Sequence, residues 1–101
     1  MTQIERIKVM EALMDQAAAA VKGLEQALDQ YEAAQTALRS LGEYLGSEEW
    51  IEDFEADEAG NLPADLKRGV LSEDGIYNLL ADDQDQAARM LELVASRLRK
   101  G

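Results

Sequence analysis

Residues 3–45 read QIERIKVMEALMDQAAAAVKGLEQALDQYEAAQTALRSLGEYL, and the spacing of the apolar side chains along them decides the fold class. One series recurs every seventh residue as Ile7, Met14, Val21 and Leu28. A second runs Met10, Ala17, Leu24, Tyr31, Leu38 and Leu45. Steps of three and four residues return a side chain to the same side of an α-helix, so the two series form one apolar stripe. A third series, Leu13, Ala20, Ala27, Ala34 and Leu41, widens that stripe beyond a narrow coiled-coil seam. Glu11, Asp15, Lys22, Gln26, Asp29 and Gln30 fall on the polar side. Ahead of the stripe, Thr2-Gln3-Ile4-Glu5 has the spacing of a capping box, with the Thr2 hydroxyl placed to accept from the Glu5 amide.

An unbroken helix over this range would be roughly 65 Å long at 1.5 Å per residue, whereas a compact domain of such a chain has a radius of gyration of about 13 Å. Three resolutions are open: a kink near Gly23, an early end at Gly42, or an elongated molecule. The run Ala17-Ala18-Ala19-Ala20 favours the last, because small side chains permit a close helix crossing there. The expected fold is all-α: an elongated antiparallel bundle of three to four helices in one domain, residues 1–101, with the long helix at the amino end. Pairing with a second copy, as a homodimer, is another way to cover the stripe.

Beyond the long helix, Gly46-Ser47 reads as a stop followed by a new N-cap, with Glu48 and Glu49 favourably placed in the next first turn. That predicts a short helix over residues 48–58, with Trp50, Ile51 and Phe54 on one side. Leu62-Pro63 opens an irregular connection through Gly69. Ser72, Glu73 and Asp74 signal a third helix over about 73–81, and Asp83 with Gln86 signals another start, hence a last helix over about 84–100. The last helix is expected to turn Ala87, Met90, Leu91, Val94 and Leu98 inward. Its end carries Arg97, Arg99 and Lys100, cations that suit the carbonyl end of a helix dipole.

Composition removes many functions. The chain has no cysteine and no histidine, so disulfides, thiolate chemistry, the usual general base and the commonest metal ligand are missing. No cofactor is expected. The opening residues carry acids and lack a continuous apolar run, so neither a signal peptide nor a membrane span is expected, and the cytoplasm is the default location. Net charge is −11, but it is unevenly spread. Residues 43–65 hold nine acids and no base, while residues 66–101 hold six of each. An anionic stretch repels nucleic-acid phosphates and anionic lipid, so neither is an expected direct partner.

The acidic stretch is the first candidate site. Glu48, Glu49, Glu52, Asp53, Glu55, Asp57, Glu58 and Asp65 lie about the Trp50-Ile51-Phe54 face. A calcium loop started at Asp53 places Glu55 and Asp57 correctly. It then puts Glu58 where a glycine belongs and Ala64 where a glutamate belongs, so the pattern fails twice. A dense anionic face can instead imitate a phosphate backbone in the basic groove of a nucleic-acid-handling protein. Trp50 and Phe54, one helical turn apart, read either as core or as an aromatic anchor rimmed by acids. Lys67 and Arg68 end the base-free interval. They suit a salt link to the acidic helix, or a small anion site beside the helix start at Ser72. Carboxylate pairs such as Glu49 and Asp53 share a helix face in many proteins without chemistry.

The segment SEEWIEDFEADEAGNLPADLKRGVLSEDGIYNLL, residues 47–80, resembles the bacterial family catalogued as domain of unknown function 4298. The resemblance is carried by GSEEW, DFEADEAG and LPADLKRGVLSEDGIY, and it extends over nearly the whole chain. It implies a small cytoplasmic helical protein and supplies no activity, cofactor or catalytic residue. The expected function is therefore non-enzymatic: a protein-interaction module, adaptor or regulator, whose candidate partner-binding residues are Glu48, Glu49, Trp50, Glu52, Asp53, Phe54, Glu55, Asp57, Lys67 and Arg68. An acidic nucleic-acid mimic is one alternative. A divalent-cation-binding protein or carboxylate enzyme is the other.

Overall fold

A computed structural model describes residues 1–100. Three α-helices make up most of it: α1, Gln3–Leu45; α2, Glu48–Glu58; and α3, Gly75–Lys100. A single 3-10 turn, Gly69–Leu71, lies between α2 and α3, and no strand occurs among the described residues. The fold is all-α, with the long helix at the amino end.

Helix α1 starts as its first residues dictate. The Glu5 amide donates to Thr2 Oγ1 at 3.1 Å, and the Arg6 amide donates to the Thr2 carbonyl at 3.0 Å. Neither Gly23 nor Gly42 ends the helix. One glycine costs about 1 kcal/mol against alanine in a helix interior, and the surrounding run of Ala, Leu, Glu and Gln absorbs that. The stop comes at Gly46-Ser47. There the Gly46 amide reaches the Gly42 carbonyl (3.3 Å) and the Ser47 amide the Tyr44 carbonyl (3.0 Å).

Contacts within the chain divide it into two compact units, Met1–Thr36 and a second beginning at Ala37. The first unit is the amino-terminal three-quarters of α1, and every residue from Met1 to Gln30 is exposed. The second unit holds the end of α1, α2, the connection and α3. Its buried apolar side chains are Leu71, on the 3-10 turn, and Ile76, in the first turn of α3. Leu38, Leu41, Leu45, Trp50, Phe54, Leu62 and Leu80 are half-buried.

Two expectations for the carboxyl half are corrected. The helices expected over 73–81 and 84–100 are a single helix, α3. Asp83 and Gln86 have the spacing of a cap, but nothing between Leu80 and Lys100 interrupts a helix. Without a glycine or proline, the local signal loses to continued backbone hydrogen bonding. Ala87, Leu91, Val94 and Leu98, expected to face inward, are exposed. The reason is where the elements meet: α2 and α3 each pack on the 3-10 turn and not on one another, so α2 covers none of the later turns of α3.

Candidate functional site: the acidic helix α2

Helix α2 is fixed at both ends by its own sequence. Ser47, extended at φ −97° and ψ 161°, accepts from the Trp50 amide at 3.2 Å and donates its hydroxyl to the Tyr44 carbonyl at 2.6 Å. One side chain thus closes α1 and opens α2. At the far end the Gly60 amide donates to the Asp57 carbonyl and the Asn61 amide to the Ala56 carbonyl, both at 3.0 Å. That pair of bonds is a Schellman closure, and it holds Gly60 at φ +73°, where a Cβ is unfavourable.

Three side chains on the inner face tie α2 to its surroundings. The Trp50 indole N–H donates to the Val70 carbonyl at 2.9 Å, and its ring stacks on Phe54 with centroids 5.1 Å apart and planes 19° from parallel. One turn further, Asp57 accepts from Arg68 Nη1 at 2.8 Å. The links to Val70 and Arg68 clamp the helix to the 3-10 turn and to the residue that precedes it. A third link runs back to α1, where the Tyr44 hydroxyl donates to Asp53 Oδ2 at 2.6 Å. That bond holds the phenol's proton. With smaller contributions from burial and the negative charges of Asp53 and Glu49, it pushes the Tyr44 pKa up to about 12.

The start of α3 is built on the other side of the same turn. Ser72 donates to the Gly69 carbonyl at 2.9 Å and accepts from the Gly75 amide at 3.0 Å. The approach is so close that a Cβ on Gly75 would strike the Gly69 carbonyl oxygen and lie 2.6 Å from Ser72 Oγ. Glycine is required here by space.

The candidate residues therefore separate into two groups. Trp50, Asp53, Phe54, Asp57 and Arg68 hold the local fold, and Arg68 makes the salt link expected of it. Glu48, Glu49, Glu52 and Glu55 are exposed on α2. Lys67, also exposed, borders an open, largely apolar hollow of about 380 Å³ with Leu41, Val70, Ile76 and Leu79. Among the described residues, no three carboxylates converge into a group able to hold a metal ion. Sequence reasoning missed Ile51. The sequence groups it with Trp50 and Phe54, yet it stands 52% exposed, with Glu48 and Glu55 as its neighbours three and four positions away. Its place was readable from the turn angle: Trp50, Phe54 and Asp57 define one face, and Ile51 lies about 100° round from Trp50.

The sequence pattern of the family described as Domain of unknown function (DUF4298) matches residues 7–93. The chain belongs to this family. The match runs through most of α1, all of α2 and most of α3, so the DUF4298 domain includes both the exposed apolar helix and the clamped acidic one. Neither a curated protein nor a solved structure matches the chain. No helix of the DUF4298 domain is long and apolar enough to cross a membrane.

Proposed function

We propose that this DUF4298 protein is a non-enzymatic interaction module of the cytoplasm, an adaptor or regulator. It engages a protein partner through the outer face of α2. The observation that carries the reading is the division of labour on that helix. Its inner face is spent on the Trp50–Phe54 stack and the bonds to Val70 and Arg68. Its outer face presents the exposed Ile51 flanked by the exposed Glu48 and Glu55, one helical turn to either side.

An apolar side chain flanked by charge is the layout of a small interface centre. The apolar group supplies desolvation, and the carboxylates steer a cationic partner and fix its orientation. The partner is accordingly a protein surface with an apolar notch set among lysines and arginines. Holding α2 in place beforehand lowers the ordering cost of association.

The test is affinity capture from the native cell lysate at low and high salt, with Glu48, Glu52 and Glu55 all changed to glutamine as one control and Ile51→Ser as another. A stoichiometric partner retained at low salt by the wild type, and lost in both variants, is the expected result. Retention of the same partner by both variants would remove the outer face from the account.

A further inference from the structure

We infer that the exposed apolar face of α1 is a self-association surface, on which a second copy of the chain lies antiparallel. This inference rests on α1 alone and is independent of the reading of α2. Ile7, Met10, Met14, Val21, Leu24 and Leu28 occupy the two inner positions of a seven-residue repeat, and each is 44–66% exposed. The repeat is the pattern of a helix built to lie against another helix, and such helices owe most of their stability to that packing.

The area is sufficient. At about 100 Å² for each large side chain, these six with Leu13 and the intervening alanines offer roughly 800 Å² per chain, one partner's share of a standard interface. The flank is also shaped for close approach. Ala20, Ala27 and Ala34 recur beside the repeat, and small residues let two helix axes come near.

Charge selects both the occupant and its direction. Residues 3–22 carry three acids (Glu5, Glu11, Asp15) and three bases (Arg6, Lys8, Lys22), whereas residues 23–36 carry Glu25, Asp29 and Glu32 with no base. An antiparallel copy sets the end bearing Arg6 and Lys8 beside the acidic end of its mate, twice over, as a two-fold axis requires. A parallel copy would align acid with acid.

The full-length chain is tested by sedimentation equilibrium, together with spin-label distances. The chain has no cysteine of its own, so Glu5→Cys, on the far side of α1, gives a unique label. The expected result is a dimer whose labels stand about 40 Å apart, set by 1.5 Å per residue about a crossing at Ala17–Ala20. Leu24→Glu should weaken the dimer at least about 100-fold, the effect of leaving a charge in a buried contact. Gln26→Glu, which adds the same charge on the far face, should leave it within about threefold. A monomer at every concentration up to about 100 µM overturns the inference, and so do equal losses from Leu24→Glu and Gln26→Glu. Labels closer than about 30 Å, as parallel helices 8–10 Å apart would place them on their outer faces, overturn the antiparallel arrangement. Loss of the α2 partner by Ile51→Ser with the dimer intact separates the two readings.

Discussion

Trp50 is one of the three side chains that hold α2 to the rest of its unit, and its two contacts can be separated by mutation. Trp50→Phe keeps a ring over Phe54 but deletes the 2.9 Å bond to the Val70 carbonyl. Val70 is itself 40% exposed, so water can reach the orphaned carbonyl, and the loss should fall near 1 kcal/mol. Trp50→Ala also removes the stack, worth about 0.5–1.5 kcal/mol, and most of the contact area of a half-buried ring. The total should reach about 3 kcal/mol, the low end of the range for large aromatic truncations because Trp50 is not fully buried. The assay is urea unfolding followed by far-ultraviolet circular dichroism, since Trp50 is the only tryptophan and its fluorescence vanishes with it. Two variants equally destabilised would show that the indole hydrogen bond, and not the stack, anchors α2. An alanine variant as stable as the wild type would refute the clamp altogether.

Four further predictions concern backbone and proton positions. Gly75→Ala drives a Cβ into the Gly69 carbonyl and should destabilise by about 2 kcal/mol, the cost of overpacking less the helix-propensity gain; Gly23→Ala, with nothing within 4 Å of its Cβ, should stabilise by up to about 1 kcal/mol, both read as shifts in the urea midpoint. Gly60→Ala forces a side chain into φ +73° and should cost about 1 kcal/mol in the same assay. Tyr44, with its pKa raised from 10.0 to about 12, stabilises the folded state below pH 10, and that contribution should be lost as pH rises towards 12. The measurement is a tyrosinate absorbance titration, in which Tyr44→Phe should delete the component near 12, together with stability against pH, in which the variant should lose the decline across that window.

The parts of the fold that depend on near neighbours in sequence were legible, and those that depend on approach between distant segments were not. Thr2, Ser47 and Ser72 stand as capping residues in the sequence, and each makes the bond its position implies. The Asp83 signal has the same form but sits in a segment with no helix breaker, so one helix runs through it. The clamp itself needs pairs separated by 9 to 20 positions, Tyr44 with Asp53, Asp57 with Arg68, and Trp50 with Val70. Of these only the salt link was foreshadowed, because Lys67 and Arg68 end a long base-free interval. The requirement for glycine at position 75 arises from a carbonyl six residues earlier in a 3-10 turn, and no local pattern encodes that. Dividing the acids of α2 into bonded and exposed sets likewise required the structure.

The outer face of α2, and not its inner face, is the proposed recognition surface for the partner. The most direct test titrates the captured partner calorimetrically against two sets of charge-neutral variants across a range of salt. Glu48→Gln, Glu52→Gln and Glu55→Gln together should weaken binding at least about tenfold and flatten its salt dependence. Asp53→Asn and Asp57→Asn, whose carboxylates are bonded to Tyr44 and Arg68, should lower stability and leave affinity within about threefold. Equal losses of affinity from the two sets, or a loss confined to the inner pair, would contradict the claim.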